Sequence, residues 1–265
     1  MIKIVLMIST NNKKLVIFIQ ARFSSTRLPG KVLMKIGNTS ILEILINRLK
    51  KLSLPIYVLT SDKKEDKKII ELVNSIENCN AIVGELENVR KRFKKAVEET
   101  DCNYFFRVTA DNPFTSIFLM KEILLNLQKR NYFHDYITFE KKFLIEGIKT
   151  ELISSESLIN DIVSFPDHRF SKEHVSWTIS RNAKKKEFLE SNIFENLELD
   201  IRKNILQKSI TIDTKEDFLS VEKYFSSLSS LDKDNLILGN KDIEEIIVND
   251  PQEALFFLAS RKDLN

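Results

Sequence analysis

The chain has 265 residues, 43% hydrophobic and 30% charged, enough apolar material for one large core and too much for a disordered chain. Its 41 basic and 38 acidic residues leave a net charge of +3, a balance that argues against nucleic acid as the main partner, because a polyanion binder carries a clear basic excess. Cys79 and Cys102 form neither a disulfide framework nor a metal-ligand spacing, and the opening MIKIVLMI is too short to span a bilayer, so a cytoplasmic protein with no membrane contact is expected.

Strand-like and helix-like segments alternate along the first half. LVIFIQ (15–20) is an apolar run of strand length, and SILEILINRLKKL (40–52) has helical spacing with Ser40 and Glu43 placed as a capping box. IYVLT (56–60) predicts a strand, EDKKIIELVNSI (65–76) a helix, NAIVG (80–84) a strand and ENVRKRFKKAVEET (87–100) a helix. YFFRVTA (104–110) and SIFLMKEILLNLQKR (116–130) complete a fourth strand–helix pair. Such alternation implies βαβ units and a doubly wound, mostly parallel α/β sheet.

Residues 134–205 read as a smaller insertion, with short strands across 136–154, helices in SLINDIV and SKEHVSWTIS, and an extended arm in LELDIRKN. SITID (209–213) predicts a further strand and TKEDFLSVEKYFSSL (214–228) the helix after it, closing a domain over 1–228. A polar joint, SSLSSLDKDN, leads into a helical appendage over 229–265, with helices in KDIEEIIV and PQEALFFLAS.

The stretch between the first strand and its helix, residues 21–39, exceeds the roughly 2–6 residues of an ordinary βα loop. It lies where α/β folds put ligands. Arg22 and Arg27 offer planar forks to phosphate oxygens, Lys31 a point charge, and Ser24, Ser25 and Thr26 hydroxyls and backbone N–H groups. Pro29-Gly30 predicts a turn that brings Lys31 back toward the arginines. A P-loop is excluded, because Ser25 and Val32 stand where it needs Gly and Ser/Thr, and no G-x-G-x-x-G occurs.

IQARFSSTRLPGKVL resembles the signature of the cytidylyltransferase-like family that includes spore-coat polysaccharide biosynthesis protein F and is related to the CMP-sialic acid and CMP-Kdo synthetases. LTSDKKEDKKI, VGELENVRKRFKKA, FRVTADNPF, KEHV and IDTKEDF resemble the family's later blocks, in order, over residues 15–228. The resemblance implies a Rossmann-like nucleotidyltransferase fold of GT-A type and transfer of CMP from CTP to an acidic or modified sugar in surface polysaccharide or glycan synthesis. It implies Mg²⁺, held by Asp111 and Asp213, with Arg22, Arg27, Lys31 and Asp111 as catalytic residues.

By the same resemblance Ala21 and the corner Thr60, Ser61 and Asp62 join the nucleotide site, although the corner reads equally as a helix cap. Arg107 reaches a phosphate or pairs with a neighbouring carboxylate; the sequence leaves both open. Lys149, Glu151, Glu173 and His174 fall on acceptor-binding positions, and the insertion on a dimer contact, which implies a homodimer. Lys149 replaces an Asp of the family pattern, a charge reversal that favours an anionic acceptor, and Ala110 replaces a Gly. Two other classes stay open: a glycosyltransferase using a sugar nucleotide, whose D-x-D would be Asp232-Lys233-Asp234, and a non-catalytic nucleotide-binding module docked through 229–265.

Overall fold

The computed structural model describes residues 13–166 and 168–261, the Ser171 side chain apart; MIKIVLMI lies outside the described residues. Strand β1 (Leu15–Gln20) runs through the middle of the main sheet. Its Ile17 and Ile19 enter one hydrophobic cluster and its Val16 and Phe18 the other, the period-2 alternation of a strand covered on both faces.

A small antiparallel hairpin of β2 (Lys35–Ile36) and β3 (Thr39–Ser40) interrupts the long stretch after β1. Then follow α1 (Ile41–Leu49), β4 (Ile56–Ser61), α2 (Lys67–Asn74), β5 (Cys79–Gly84), α3 (Val89–Thr100), β6 (Tyr104–Thr109) and α4 (Ile117–Lys129). The second half supplies β7 (Tyr136–Phe139), β8 (Glu151–Ser154), α5 (Ser155–Ser164), α6 (Arg169–Glu173), α7 (Ile179–Asn182), β9 (Lys186–Leu189), α8 (Leu199–Leu206) and α9 (Lys215–Ser227). Three more helices follow, α10 (Ser230–Ile237), α11 (Ile243–Asn249) and α12 (Pro251–Phe257).

The sheet order is β5-β4-β1-β6-β8-β7-β9, with β5, β4, β1 and β6 mutually parallel and β8 antiparallel to both its neighbours. Helices α1, α2 and α4 cover one face and α3 and α5 the other, the doubly wound arrangement expected. The parallel strands therefore all present their C-terminal ends at one edge.

Four local expectations are corrected. LELDIRKN is not an extended arm: most of it lies in α8, whose Ile205 is buried in the core. SITID forms no sheet strand; it is an extended segment joined to the fold by a bridge from Ser209 to Glu146 and by Ile212 N–H donating to the Asp111 carbonyl at 2.9 Å. SKEHVSWTIS breaks between α6 and α7. The polar joint coils into α10, because Ser229 accepts from Asp232 N–H as an N-cap and Leu236 is buried. Strand β9 had no sequence signal; it pairs in parallel with β7.

The C-terminal helices pack into the larger core through Leu236, Ile243, Ile246 and Leu258. Glu244 of α11 is buried there, beside Asp242 and bonded to the Ser116 hydroxyl. Burial, with the Asp242 charge second, pushes its carboxyl up from 4.5 to about 8. The unfolded chain releases this proton near the ordinary value and the folded chain holds it to about 8, so stability falls as pH rises through that window. Glu244→Gln is therefore expected to match the wild type near pH 4 and exceed it increasingly toward pH 8. Denaturant unfolding across pH measures this; a constant difference would contradict it.

Candidate active site

The loop after β1 is built by short-range bonds. Ala21 N–H still donates to the Leu59 carbonyl, 3.1 Å away, so the chain leaves the sheet only after Ala21. Ser25 and Gly30 N–H both donate to the Phe23 carbonyl at 2.8 Å, which closes the loop on itself. Gly30 takes φ +72°, and a Cβ there would stand 2.8 Å from the Phe23 ring, so the turn at Pro29-Gly30 needs glycine on both counts. It delivers Lys31 into a one-turn 3₁₀ helix with its side chain only 10% exposed.

Lys31 Nζ donates to Asp111 Oδ2 at 3.1 Å, to Asp213 Oδ1 at 2.9 Å and to the Ile212 carbonyl at 2.8 Å. Arg27 Nη2 lies 2.9 Å from the other oxygen of Asp213. The two aspartates meet by a route the sequence did not suggest. Asp111 lies just past β6, whereas Asp213 ends the extended segment that hangs from the Asp111 carbonyl through Ile212.

These groups line a cavity of about 320 Å³ at the C-terminal edge, together with Gln20, Ala21, Arg22, Ser25, Thr26, Val32, Arg107, Thr109, Ala110, Glu173 and His174. Arg22 reaches Glu173 across it at 3.7 Å, an exposed pair of little energetic weight. Arg107 donates to Glu151 at 3.0 Å and to Gln20 Oε1 at 3.2 Å, so it both faces the cavity and pairs with a carboxylate.

The remaining expected residues lie elsewhere. Ser24 is exposed outside the lining. Thr60 and Ser61 are buried, Ser61 donating to Asp66 through N–H and hydroxyl, while Asp62 is exposed. Glu151 is spent on Arg107, Tyr136 and Ser176. Burial works to raise its carboxyl, but Arg107, the Tyr136 and Ser176 hydroxyls and Lys149 outweigh that and hold it below the usual range. Lys149 also lies outside the lining, its ammonium pulled down by burial against the opposing pull of Glu151.

Sequence reading missed Asp66. Its Oδ1 accepts from Phe23 N–H at 2.6 Å while Oδ2 takes Ser61, which ties the loop after β1 to the end of β4. Amid DKKEDKK it carries no mark that separates it from a solvated charge run. Among the described residues no group of three or more His, Cys, Asp or Glu gathers as a metal cage. The donor set near Lys31 is two carboxylates, which suits a hard cation that keeps water and takes its other ligands from phosphate.

The cytidylyltransferase family model matches residues 16–248. An uncharacterized protein of Methanocaldococcus jannaschii is 34% identical over 241 residues, covering 88% of this chain and 89% of its own. Spore coat polysaccharide biosynthesis protein SpsF of Bacillus subtilis is 30% identical over 217 residues, 78% of this chain and 84% of its own. A solved cytidylyltransferase from Leptospira borgpetersenii superposes with a TM-score of 0.73 at 24% identity, covering 91% of this chain and 97% of that one, which shows a common fold. With a cationic loop and paired aspartates at the ligand edge of that fold, the chain belongs to the cytidylyltransferase family.

Proposed function

We propose that the cleft binds CTP and that an acceptor hydroxyl, from an acidic or modified sugar, attacks the α-phosphorus with release of pyrophosphate, in synthesis of a surface polysaccharide or glycan. The observation that carries this reading is one ammonium, Lys31, held between Asp111 and Asp213 beside Arg27 in a cavity at the ligand edge. Arg22, Arg27 and Lys31 stabilise negative charge as it moves to the departing pyrophosphate. Among the described residues Arg22 and Arg27 pair with partly exposed carboxylates, which phosphate oxygens can replace as partners. Asp111 and Asp213 are the residues that would hold Mg²⁺, whose chemistry is to neutralise the triphosphate.

Glu173 and His174, across the cleft from the cationic loop, are the acceptor residues that line it; Glu151 acts through Arg107, which it fixes. SpsF belongs by name to polysaccharide biosynthesis, which supports a glycan acceptor. The reading includes a homodimer in the cytoplasm, and no helix among the described residues is long and apolar enough to cross a membrane. A glycosyltransferase is disfavoured, because Asp232 and Asp234 lie in α10 with Asp232 tied to Lys241 and Ser229, away from the cleft lining.

Titration calorimetry with CTP, with and without Mg²⁺, followed by pyrophosphate release over a panel of sugar acids, tests the reading. CTP binding that strengthens with Mg²⁺ is expected; no binding under either condition would overturn it.

A further inference from the structure

Helix α3 buries two arginines two positions apart, and they are treated very differently. Arg90 donates to Asp161 at 2.8 Å and to the Phe165 and Pro166 carbonyls. Arg92 is 1% exposed, yet Nε, Nη1 and Nη2 are all buried with no hydrogen-bond partner among the described residues. A guanidinium has five N–H donors, and leaving them unpaired in a low dielectric is among the costliest arrangements a fold can hold. Such a group calls for an explanation, and a ligand that completes it is one.

The surroundings sharpen this. The acidic neighbour of Arg92 is Asp66, but both Asp66 oxygens are committed to Phe23 and Ser61. Arg22 adds a like charge, and burial is the main cause that pulls the guanidinium down to about 10. The Arg92 stem crosses the end of β5, where a Cβ on Gly84 would stand 3.0 Å from its Cγ. Gly84 pairs with Ser61 at the end of β4. Arg92 therefore lies at the ligand edge, on the β5–β4 side of the sheet, whereas Lys31 and the aspartates gather on the β1–β6 side. A nucleotide whose triphosphate meets Lys31 reaches Arg92 only where its base runs along this edge from the β1–β6 side to the β5–β4 side.

We propose that Arg92 selects the nucleobase, its guanidinium donating to the adjacent O2 and N3 acceptors of cytosine. This deepens, and rests on, the reading of the cleft as a CTP site. Two parallel N–H groups match two neighbouring acceptors in one plane. Uracil keeps O2 but presents an N–H at position 3, which meets a donor with a donor. Because the nitrogens are covered, the base reaches them only as the side chains above them shift.

Calorimetry with CTP, UTP and inorganic tripolyphosphate, each with Mg²⁺, tests this on the wild type, Arg92→Met and Arg92→Lys. The wild type is expected to prefer CTP, and both variants to lose about tenfold or more of that preference, with tripolyphosphate affinity unchanged. Arg92→Met removes an unpaired buried charge at similar volume, so its melting temperature is expected at or above the wild type. A preference for CTP over UTP retained in the variants, an equal loss of tripolyphosphate binding, or variants too unstable to fold would each overturn the proposal. A wild type that binds no nucleotide would instead overturn the CTP reading itself.

Discussion

Lys31→Met is expected to cut pyrophosphate release from CTP by about 10²–10³-fold, the usual effect of deleting one preorganised charge from a transition state. Its three bonds, to Asp111, Asp213 and the Ile212 carbonyl, are all lost, while the methionine stem keeps the packing of the 3₁₀ turn. The same substitution leaves Asp111 and Asp213 facing each other without their shared cation. Their mutual repulsion is then relieved by a divalent cation, so Mg²⁺ alone is expected to raise the melting temperature of Lys31→Met more than that of the wild type. Thermal unfolding with and without Mg²⁺ checks this independently of any acceptor. Equal shifts in the two proteins would show that these carboxylates are not the cation's ligands. Asp111→Asn is expected to lose turnover on the same scale but to lack the Mg²⁺-dependent gain.

The largest effect on stability is expected at Arg48→Ala. Arg48 lies on α1, is wholly buried, and donates to the Leu236 and Lys241 carbonyls at 2.7 and 3.0 Å, to the Thr115 carbonyl at 3.3 Å and to Asp242 at 2.5 Å. Asp242 also caps α4 by accepting from Ile117 and Phe118 N–H. One guanidinium thus joins α1, the start of α4 and the C-terminal helices. Burial pulls it below the ordinary arginine value, and the Asp242 and Glu244 charges oppose that. Removing it strands a buried carboxylate and three carbonyls, at a cost of about 3–5 kcal/mol. In a chain of this size that is a fall in melting temperature on the order of 10 °C. Arg48→Met combined with Asp242→Asn is expected to cost less than the two single changes together, because neither then leaves an unpaired charge. Additive losses would show that the pair is not the source of the stability.

The α/β half of the fold was legible because each element carries its own periodicity. β1 is apolar on both faces and α1, α3 and α4 have their buried residues at helical spacing, so short windows suffice. Windows failed where packing overrides local preference. α8 begins at a Glu198 that supplies no side-chain cap, and it exists because Ile205 finds the core. The SITID segment is as apolar as a strand, but β8 occupies the edge of β6, and the segment attaches instead through Ile212 N–H to the Asp111 carbonyl. Lengthening the core with α10–α12 likewise depends on Arg48 and Leu236 meeting across the molecule.

By itself the sequence determined the parallel sheet, its flanking helices and the cationic turn at Pro29-Gly30, because these are properties of neighbouring residues. It also placed Asp111 just past a strand end, whereas the strand expected before Asp213 does not form. Only the tertiary structure decided that Lys31 bridges Asp111 and Asp213, that Asp66 anchors the loop, that Glu151 is spent on Arg107, and that Arg92 is buried unpaired. Lys31 lies 80 and 182 positions from its two carboxylates, and no local pattern records a contact across that distance. Such contacts form when burial of the core strands brings the loop ends to one edge, so they are set by the packing of the whole chain and by no segment of it.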